Sequence, residues 1–234
     1  MSIRTEMLAI PVGQDVFQGF FAAPEGGPHP GIVVIQEVFG INDHIQNVTQ
    51  RLAEAGYTCI APDLFWRAQP GFTSGYSPEE IQTAIAMRQR IDDSQAAEDI
   101  RAAMQVLISR PESRGIKTGV VGFCWGGLMT YLSAARLAPA CAVSYYGGGI
   151  VNHIDEFAKI KIPIMFHFGE QDSSIPMDQV EQVRQAAAGS ALATVHTYAD
   201  TGHGFNCDMR PDFHPASASL AWERTLGFFR NPLP

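Results

Sequence analysis

Short apolar runs alternate along the chain with longer segments in which apolar positions recur at helical spacing. The first segment, MLAIPVGQDVFQGFFAAP, predicts two antiparallel strands with a turn near Gly13-Gln14. The further predicted strands are GIVVIQ (31–36), YTCIAP (57–62), TGVVGF (118–123), AVSYYG, IPIMFHFG and ATVHTY. The predicted helices cover 45–55, start at Ser77, cover 94–109, start at Trp125, and cover 177–188 and 216–229.

This alternation of strands and helices predicts an α/β fold with a mostly parallel central sheet, helices on both faces and an antiparallel N-terminal edge. Residues 1–234 contain no repeat, low-complexity segment or polar linker, so we expect one domain. Ligands in such sheets bind beyond the carboxyl ends of the strands. Candidate chemistry is therefore sought where predicted strands end.

The net charge and the apolar segments limit which classes of binding partner are expected. The net charge of -8 and the pI near 5.3 argue against nucleic acid or an anionic membrane, which bind basic surfaces. The N-terminus has no basic stretch followed by an apolar run, and the apolar runs are too short to cross a bilayer. We expect a soluble cytoplasmic protein with a small-molecule substrate.

The four cysteines have no CxxC spacing and no histidine-rich surroundings, so the sequence predicts no zinc site. In a reducing cytosol all four should be free thiols. Cys59 and Cys141 lie in predicted buried strands and are expected to be inert.

The strongest chemical signal is GFCWGG, residues 122–127, between a predicted strand and a predicted helix. It has the G-x-nucleophile-x-G pattern of a nucleophile elbow, with Cys124 in place of the more usual serine. The elbow is a strained turn, and side chains two residues before or after the nucleophile would collide with the neighbouring backbone, so glycine is needed there. The helix dipole there favours a thiolate. By itself the pattern also fits a glycine-rich turn with a buried cysteine.

Two further residues follow the elbow in a meaningful order. Asp172 follows the predicted strand IPIMFHFG, and His203 follows ATVHTY. Taken singly, the aspartate could cap a helix and the histidine could be a surface residue. Nucleophile, acid and histidine in this order, each at the end of a strand, match the order of an α/β-hydrolase triad.

The loop after GIVVIQ supplies further candidates. In this fold it carries one oxyanion-hole donor, and we expect the backbone N–H groups of Val38 and Trp125 to form that hole. Glu37 precedes Val38, and one explanation for a carboxylate there is that it accepts the thiol proton. The residues expected to contact substrate are Phe39, Tyr146, Phe205 and Cys207, and a purely structural role is the alternative for Cys207.

These residues and their neighbours resemble the dienelactone hydrolase family, the carboxymethylenebutenolidases. The matching segments are GIVVIQEVFGIN, APDLFWR, GVVGFCWGG, SYYGGG, FGEQDSSIP and TGHGFNCD, and they cover nearly the whole chain. The resemblance implies a monomeric Cys–His–Asp hydrolase of enol-lactones or other carboxylic esters, without metal or cofactor.

The resemblance also implies that Glu37 pairs with the resting thiol and takes its proton when substrate binds. Glu37→Gln cannot receive a proton, so we expect acylation to slow by at least about tenfold, a conservative bound for a lost general base, which typically contributes about 10²–10⁴-fold. Pre-steady-state kinetics of the variant and the wild type with one ester measure this effect. An unchanged acylation rate would reduce Glu37 to a structural residue.

One feature departs from the family. Its namesake enzymes bind the dienelactone carboxylate with two arginines, one of them shortly after the catalytic histidine. Here that segment is GFNCD, and the first arginine after His203 is Arg210. Dienelactone is therefore in doubt as the substrate. The other candidate arginines are Arg67, Arg88 and Arg90.

Two alternatives belong to other functional classes. One is a non-catalytic ligand-binding protein on the same fold, which would have no need of Asp172 behind His203. The other is a thiol redox sensor centred on Cys124, which lacks a partner cysteine at short spacing. Turnover of an activated ester, lost in Cys124→Ala and retained under reducing conditions, distinguishes the hydrolase from both.

Overall fold

The computed structural model describes residues 2–233, apart from the side chains of residues 115 and 116. The chain divides into two compact units, with the boundary between Val120 and Val121. The fifth strand, β5 (Ser113–Phe123), runs from the first unit into the second. The prediction of a single domain over residues 1–234 stays a prediction.

The first unit contains four strands and three helices before β5. They are β1 (Ile3–Val12), β2 (Asp15–Pro24), β3 (His29–Ile35), α1 (Asp43–Glu54), β4 (Thr58–Pro62), α2 (Pro78–Arg88) and α3 (Asp93–Ser109). The strands lie in the order β1-β2-β4-β3, with β5 beside β3.

The predicted N-terminal hairpin is confirmed. Strands β1 and β2 pair antiparallel from Ile3↔Pro24 to Val12↔Asp15, and Gly13 occupies the turn with φ +60°. A left-handed backbone at this position favours glycine. Strand β2 continues antiparallel to β4, whereas β3 and β4 are parallel, so the antiparallel edge of the sheet is the N-terminal one.

Local signals in the sequence explain where the first helices start. The Asn42 side chain accepts the Ile45 N–H at 3.2 Å and caps α1, which buries Ile45, Val48 and Leu52 on one face. The helix start predicted at Ser77 is confirmed, and Ser77 and Glu80 form a reciprocal capping box at the start of α2.

The second unit continues the alternation. Its elements are α4 (Trp125–Arg136), β6 (Cys141–Tyr145), a kinked 3₁₀ segment (Ile150–Lys159), β7 (Ile164–Gly169), α5 (Met177–Ala187), β8 (Ala193–Tyr198) and α6 (Pro215–Phe229). Strand β6 lies beside β5, and β6, β7 and β8 are parallel neighbours. Their carboxyl ends therefore share one edge.

The predicted fold class, an α/β fold with a mostly parallel sheet, is confirmed. Two differences stand out. Strand β5 begins at Ser113, five positions before the predicted start at 118, because its first half contains polar residues that hide the apolar pattern. The 3₁₀ segment was not predicted, since 3₁₀ helices have no strong periodic signal. Within residues 2–233, no helix is both long and apolar enough to cross a membrane.

Candidate active site

A strained elbow presents Cys124. Strand β5 ends at Phe123 and α4 begins at Trp125, so one residue makes the turn, with φ 55° and ψ -118°. A side chain at Gly122 would overlap the carbonyl of Gly126, so only glycine fits there. Such left-handed strain in a non-glycine residue is typical of functional positions. The elbow leaves Cys124 partly exposed at the N-terminus of α4.

Strand β6 fixes the elbow from the side. The Cys124 N–H donates to the Tyr145 carbonyl at 3.1 Å. In the first turn of α4, a side chain at Gly127 would meet the same carbonyl, which explains why this position is glycine. The position of the sulfur is thus set by backbone contacts to two neighbouring elements.

Asp172 occupies a turn after β7 and is almost fully buried. Its Oδ1 accepts the backbone N–H groups of Ser174 at 2.8 Å and Ile175 at 3.1 Å. These donors fix the orientation of the carboxylate and leave Oδ2 for another partner.

That partner is His203, on the loop after β8. Its Nδ1 lies 2.7 Å from Asp172 Oδ2, and its ring also forms a hydrogen bond with the Cys124 side chain. Because Nδ1 binds the carboxylate, Nε2 is the nitrogen available to the sulfur. The structure therefore brings together the three residues that the sequence singled out by their order.

Opposing effects act on the His203 imidazole. Burial lowers its pKa, but the negative charge of an ionised Cys124, the hydrogen bond to Asp172 and the hydrogen bond with the sulfur together raise the pKa to about 10. The His203 imidazole is therefore protonated at neutral pH. Removing the charge of either partner lowers its pKa.

This shift predicts how stability depends on pH. The pKa of His203 is raised from 6.5 to about 10 on folding, so its contribution is complete below about pH 6.5 and is lost as pH rises towards 10. We expect Tm to fall across this range, and to fall less in His203→Gln. Thermal unfolding followed by circular dichroism from pH 6 to 10 measures both. If Tm falls equally with pH in His203→Gln and in the wild type, the raised pKa of His203 is contradicted.

Aromatic rings surround the histidine. Tyr146, also in the left-handed region with φ 37°, meets His203 edge-on with ring centroids 5.2 Å apart. Phe205 meets Tyr146 at 5.3 Å and Tyr198 at 5.1 Å. Tyr146, Phe205 and Cys207 are all fully buried. Their predicted contact with substrate stays a prediction. Tyr146 packs against His203, and Phe205 packs against Tyr146.

The loops after β7 and β8 are held together by their backbones. Glu170 N–H donates to the Tyr198 carbonyl, and Gln171 N–H donates to the Thr201 carbonyl, both at 2.9 Å. A side chain at Gly169 would overlap the Thr201 carbonyl, so glycine permits this close approach. The acid and the histidine are thus joined by main-chain contacts as well as by their own hydrogen bond.

Arg210 folds back onto the histidine loop. Its guanidinium lies against Gly204, directly after His203, and its Nη2 is 3.6 Å from Asp212 Oδ2. Gly204 has φ +77°, and a side chain there would collide with the guanidinium. The sequence did not reveal this contact, because it depends on how the loop turns back on itself.

The remaining candidates lie in the first unit. Glu37, Val38 and Phe39 follow β3, and Glu37 and Phe39 are buried. The ring of Phe39 meets that of Tyr76 edge-on at 4.8 Å. The roles predicted for Glu37 as a proton acceptor, for Val38 and Trp125 as oxyanion donors and for Phe39 as a substrate contact stay predictions.

The other strand cysteines have the expected surroundings. Cys59 and Cys141 are completely buried. Burial raises the pKa of both thiols above the ordinary value of 9.0, so both stay protonated at neutral pH. Neither is a competing nucleophile.

A strand–cysteine–helix elbow, followed in the chain by an aspartate and a histidine that bind each other, defines the α/β-hydrolase class. The model of the dienelactone hydrolase family matches residues 17–233. The chain therefore belongs to the dienelactone hydrolase family, and it is a hydrolase.

Individual relatives agree with this placement. The chain is 32% identical over 243 residues to a Synechocystis protein provisionally named carboxymethylenebutenolidase, with 100% of this chain and 99% of the relative covered. It is 32% identical over 213 residues to the carboxymethylenebutenolidase of Pseudomonas putida, with 91% and 90% covered. A crystal structure from Klebsiella pneumoniae, provisionally described as a dienelactone hydrolase, has a TM-score of 0.88 at 31% identity and covers 99% of this chain and 100% of its own.

Proposed function

We propose that this protein hydrolyses carboxylic esters or enol-lactones through Cys124, His203 and Asp172, with a thioester acyl-enzyme as intermediate. The observation that carries the proposal is the hydrogen-bonded series from Asp172 through His203 to the Cys124 sulfur at the elbow. The family supplies the reaction class, hydrolysis, and the geometry supports the roles proposed for the three residues.

In the first half-reaction the ionised sulfur attacks the ester carbonyl and forms a C–S bond. The oxyanion develops near the N-terminus of α4, where the backbone N–H of Trp125 is the expected donor. Loss of one such donor costs about 3–4 kcal/mol in related hydrolases. Collapse of the intermediate expels an alkoxide or enolate, which takes its proton from His203.

Proton delivery follows from the charges around the imidazole. Once sulfur is bonded to carbon it carries no charge, so the electrostatic effect of Cys124 that raises the His203 pKa disappears. Burial, the largest single effect, then lowers the pKa, and the imidazolium becomes a better acid when the leaving group needs a proton.

The second half-reaction uses the neutral histidine. With Nδ1 bound to Asp172, Nε2 accepts a proton from water, and the resulting hydroxide attacks the thioester carbonyl. Cleavage of the C–S bond releases the carboxylic acid and restores the thiolate–imidazolium pair. In both half-reactions Asp172 holds Nδ1 of His203, so that Nε2 faces the sulfur and the substrate.

The substrate class is restricted by the arginines. Arg67 Nη2 binds Asp99 at 2.7 Å, Arg88 Nη2 binds Asp93 at 2.6 Å, and Arg90 Nη2 donates to the Ala68 carbonyl at 3.1 Å. Arg210 lies at Gly204 beside Asp212. Four candidate arginines thus have protein partners, which favours uncharged esters over carboxylated lactones.

We therefore expect only a weak preference for an anionic substrate. A dedicated arginine–carboxylate contact contributes about 1.5–3 kcal/mol. Values of kcat/KM for dienelactone and for a neutral analogue should differ by much less than about a hundredfold. A larger preference, lost in Arg210→Gln and retained in Arg67→Gln, would assign carboxylate recognition to Arg210.

Selective alkylation tests the proposed nucleophile. Iodoacetamide should label Cys124 at the rate at which esterase activity disappears, because the elbow thiol is accessible and paired with His203. Peptide mass spectrometry identifies the labelled cysteine, and p-nitrophenyl acetate hydrolysis reports activity. Cys141→Ala serves as the control and should be inactivated at the wild-type rate. Loss of activity with label on Cys59 or Cys141 would overturn the assignment.

A further inference from the structure

A cavity of about 350 Å³ lies in the first unit, lined by residues between Met7 and Thr73. This volume is within the range of about 300–1,000 Å³ that is usual for small-molecule sites. None of the three triad residues lines it. The side chains that define its character are Met7, Val16, Phe17, Asp63, Trp66 and Phe72.

One wall is an aromatic pair held in place from outside the cavity. The rings of Phe17 and Trp66 stack with centroids 5.3 Å apart and planes 7° apart. Trp66 Nε1 donates to Asp99 at 2.8 Å, and the Arg67 guanidinium lies 4.2 Å from the Trp66 ring centroid. A ligand on this wall would find the indole already ordered, which reduces the entropic cost of binding.

Asp63 shapes a second wall. Its Oδ1 accepts the Phe65 N–H at 2.9 Å, and its Oδ2 accepts the Gly71 N–H at 2.7 Å. The segment between them is thereby closed into a compact turn. Phe72, next to this turn, packs edge-on against Phe65 at 5.4 Å and lines the cavity. Both walls are therefore formed without a ligand.

Exposed apolar side chains mark the entrance. Met7 is 54% exposed and Val16 is 60% exposed, although both belong to strands of a sheet. Apolar groups clustered at the edge of a pocket are a common sign of a ligand-binding surface. Covering them would remove apolar area from water and favour an apolar occupant.

The charges of the residues that line the cavity disfavour an anionic ligand. Among the described residues that line the cavity none is Lys or Arg, whereas Asp63 contributes a carboxylate. Burial raises the pKa of Asp63, and the charge of nearby Asp99 adds to this effect. Both oxygens of Asp63 already accept backbone N–H groups, so a cationic ligand is not needed to satisfy them. An uncharged ligand fits this environment best.

A polar group at the cavity adds one point of recognition. Gln46 lines it and donates its Nε2 to the Ile41 carbonyl at 3.1 Å. That bond fixes the amide, whose oxygen remains an acceptor for a ligand N–H or O–H group. Ring faces, apolar edges and polar acceptors such as the Gln46 amide are the features of a site for an aromatic amine or phenol.

We propose that this cavity binds an uncharged aromatic molecule of about two or three rings that carries an N–H or O–H donor. The basis is the preformed wall of Phe17 and Trp66, the apolar entrance at Met7 and Val16, and the lack of a cationic group among the described lining residues. Such a site is additional to ester hydrolysis, because no step of that reaction requires it.

Two dyes with the same ring system test the proposal. N-phenyl-1-naphthylamine is neutral and has an N–H donor, and 8-anilinonaphthalene-1-sulfonate carries an added sulfonate. We expect saturable fluorescence enhancement with the neutral dye and at least about tenfold weaker binding of the anionic one, because a charge must be buried beside a carboxylate. Equal affinity for both dyes, or no saturable binding of the neutral one, would overturn the proposal.

Variants locate the binding. Val16→Asp places a charge at the entrance, at an exposed position that folding does not require to be apolar, and should weaken binding of the neutral dye by at least about tenfold. Leu220→Asp makes the same kind of change at a 41% exposed leucine of α6 and should bind as the wild type does. Loss of binding after alkylation of Cys124, with Val16→Asp unaffected, would place the dye in the active site and overturn the proposal.

A spectroscopic measurement is independent of variant stability. With ¹³C-methyl methionine labelling, the neutral dye should shift the Met7 signal, identified by its loss in Met7→Leu. Met177 is 37% exposed on α5 and its signal should stay in place. Equal shifts of both signals, or a shift of Met177 alone, would show that the dye binds non-specifically or elsewhere.

Discussion

Asp172→Asn is expected to lower kcat/KM for an activated ester by about 10³–10⁴-fold, the scale on which loss of the aspartate acts in serine hydrolase triads. The reason lies in the hydrogen bonds of the carboxylate. The N–H groups of Ser174 and Ile175 require an acceptor at Oδ1, so the asparagine amide nitrogen must face His203. That group donates to Nδ1, which forces the proton onto Nε2 and prevents the imidazole from accepting one there.

Steady-state kinetics and thermal unfolding measure this variant. Asp178→Asn, an exposed aspartate in the first turn of α5, provides a matched control and should keep wild-type activity. A loss of less than about tenfold in Asp172→Asn, with the fold intact, would show that His203 does not depend on Asp172 for its tautomer.

Cys124→Ala is expected to remove ester turnover, because loss of a nucleophile alone costs about 10⁶-fold in a well-studied serine hydrolase. A second expected effect distinguishes loss of the nucleophile from general disruption of the active site. The ionised sulfur is the largest of the effects that raise the His203 pKa, so the pKa should fall from about 10 when the sulfur is removed.

Titration of the His203 ring signal by NMR follows that change. Cys141→Ala, which removes a buried thiol from the same unit, should leave both the activity and the His203 titration unchanged. Turnover that persists in Cys124→Ala would exclude the thioester route. Loss of turnover with an unchanged His203 titration would show that the two side chains do not interact electrostatically.

Much of the fold could be predicted, because each element has its own local signal. The glycine turn at Gly13, the capping box at Ser77 and the strand ATVHTY appear in the structure at the predicted positions. The order of Cys124, Asp172 and His203 was sufficient to predict their proximity, since parallel strands bring their carboxyl ends to one edge.

The parts that were not predicted depend on contacts distant in the sequence. No local pattern shows that Arg210 lies over Gly204, or that Tyr146 is fully buried with its ring edge-on to His203. The cavity in the first unit was missed for the same reason. It requires the β1–β2 hairpin and the turn closed by Asp63 to come together, and sequence periodicity describes only the elements themselves.

The backbone bonds between the loops after β7 and β8 have a consequence for the way such an enzyme can diversify. Because Gln171 is bonded to Thr201, Asp172 to His203 and β7 to β8, the reactive geometry is held by contacts that α5 does not make. The segment of α5 and the exposed residues between it and β8 can lengthen or change in sequence while the acid–histidine pair stays in register. It is a natural place for insertions that alter what reaches the catalytic residues, both in evolution and in the laboratory.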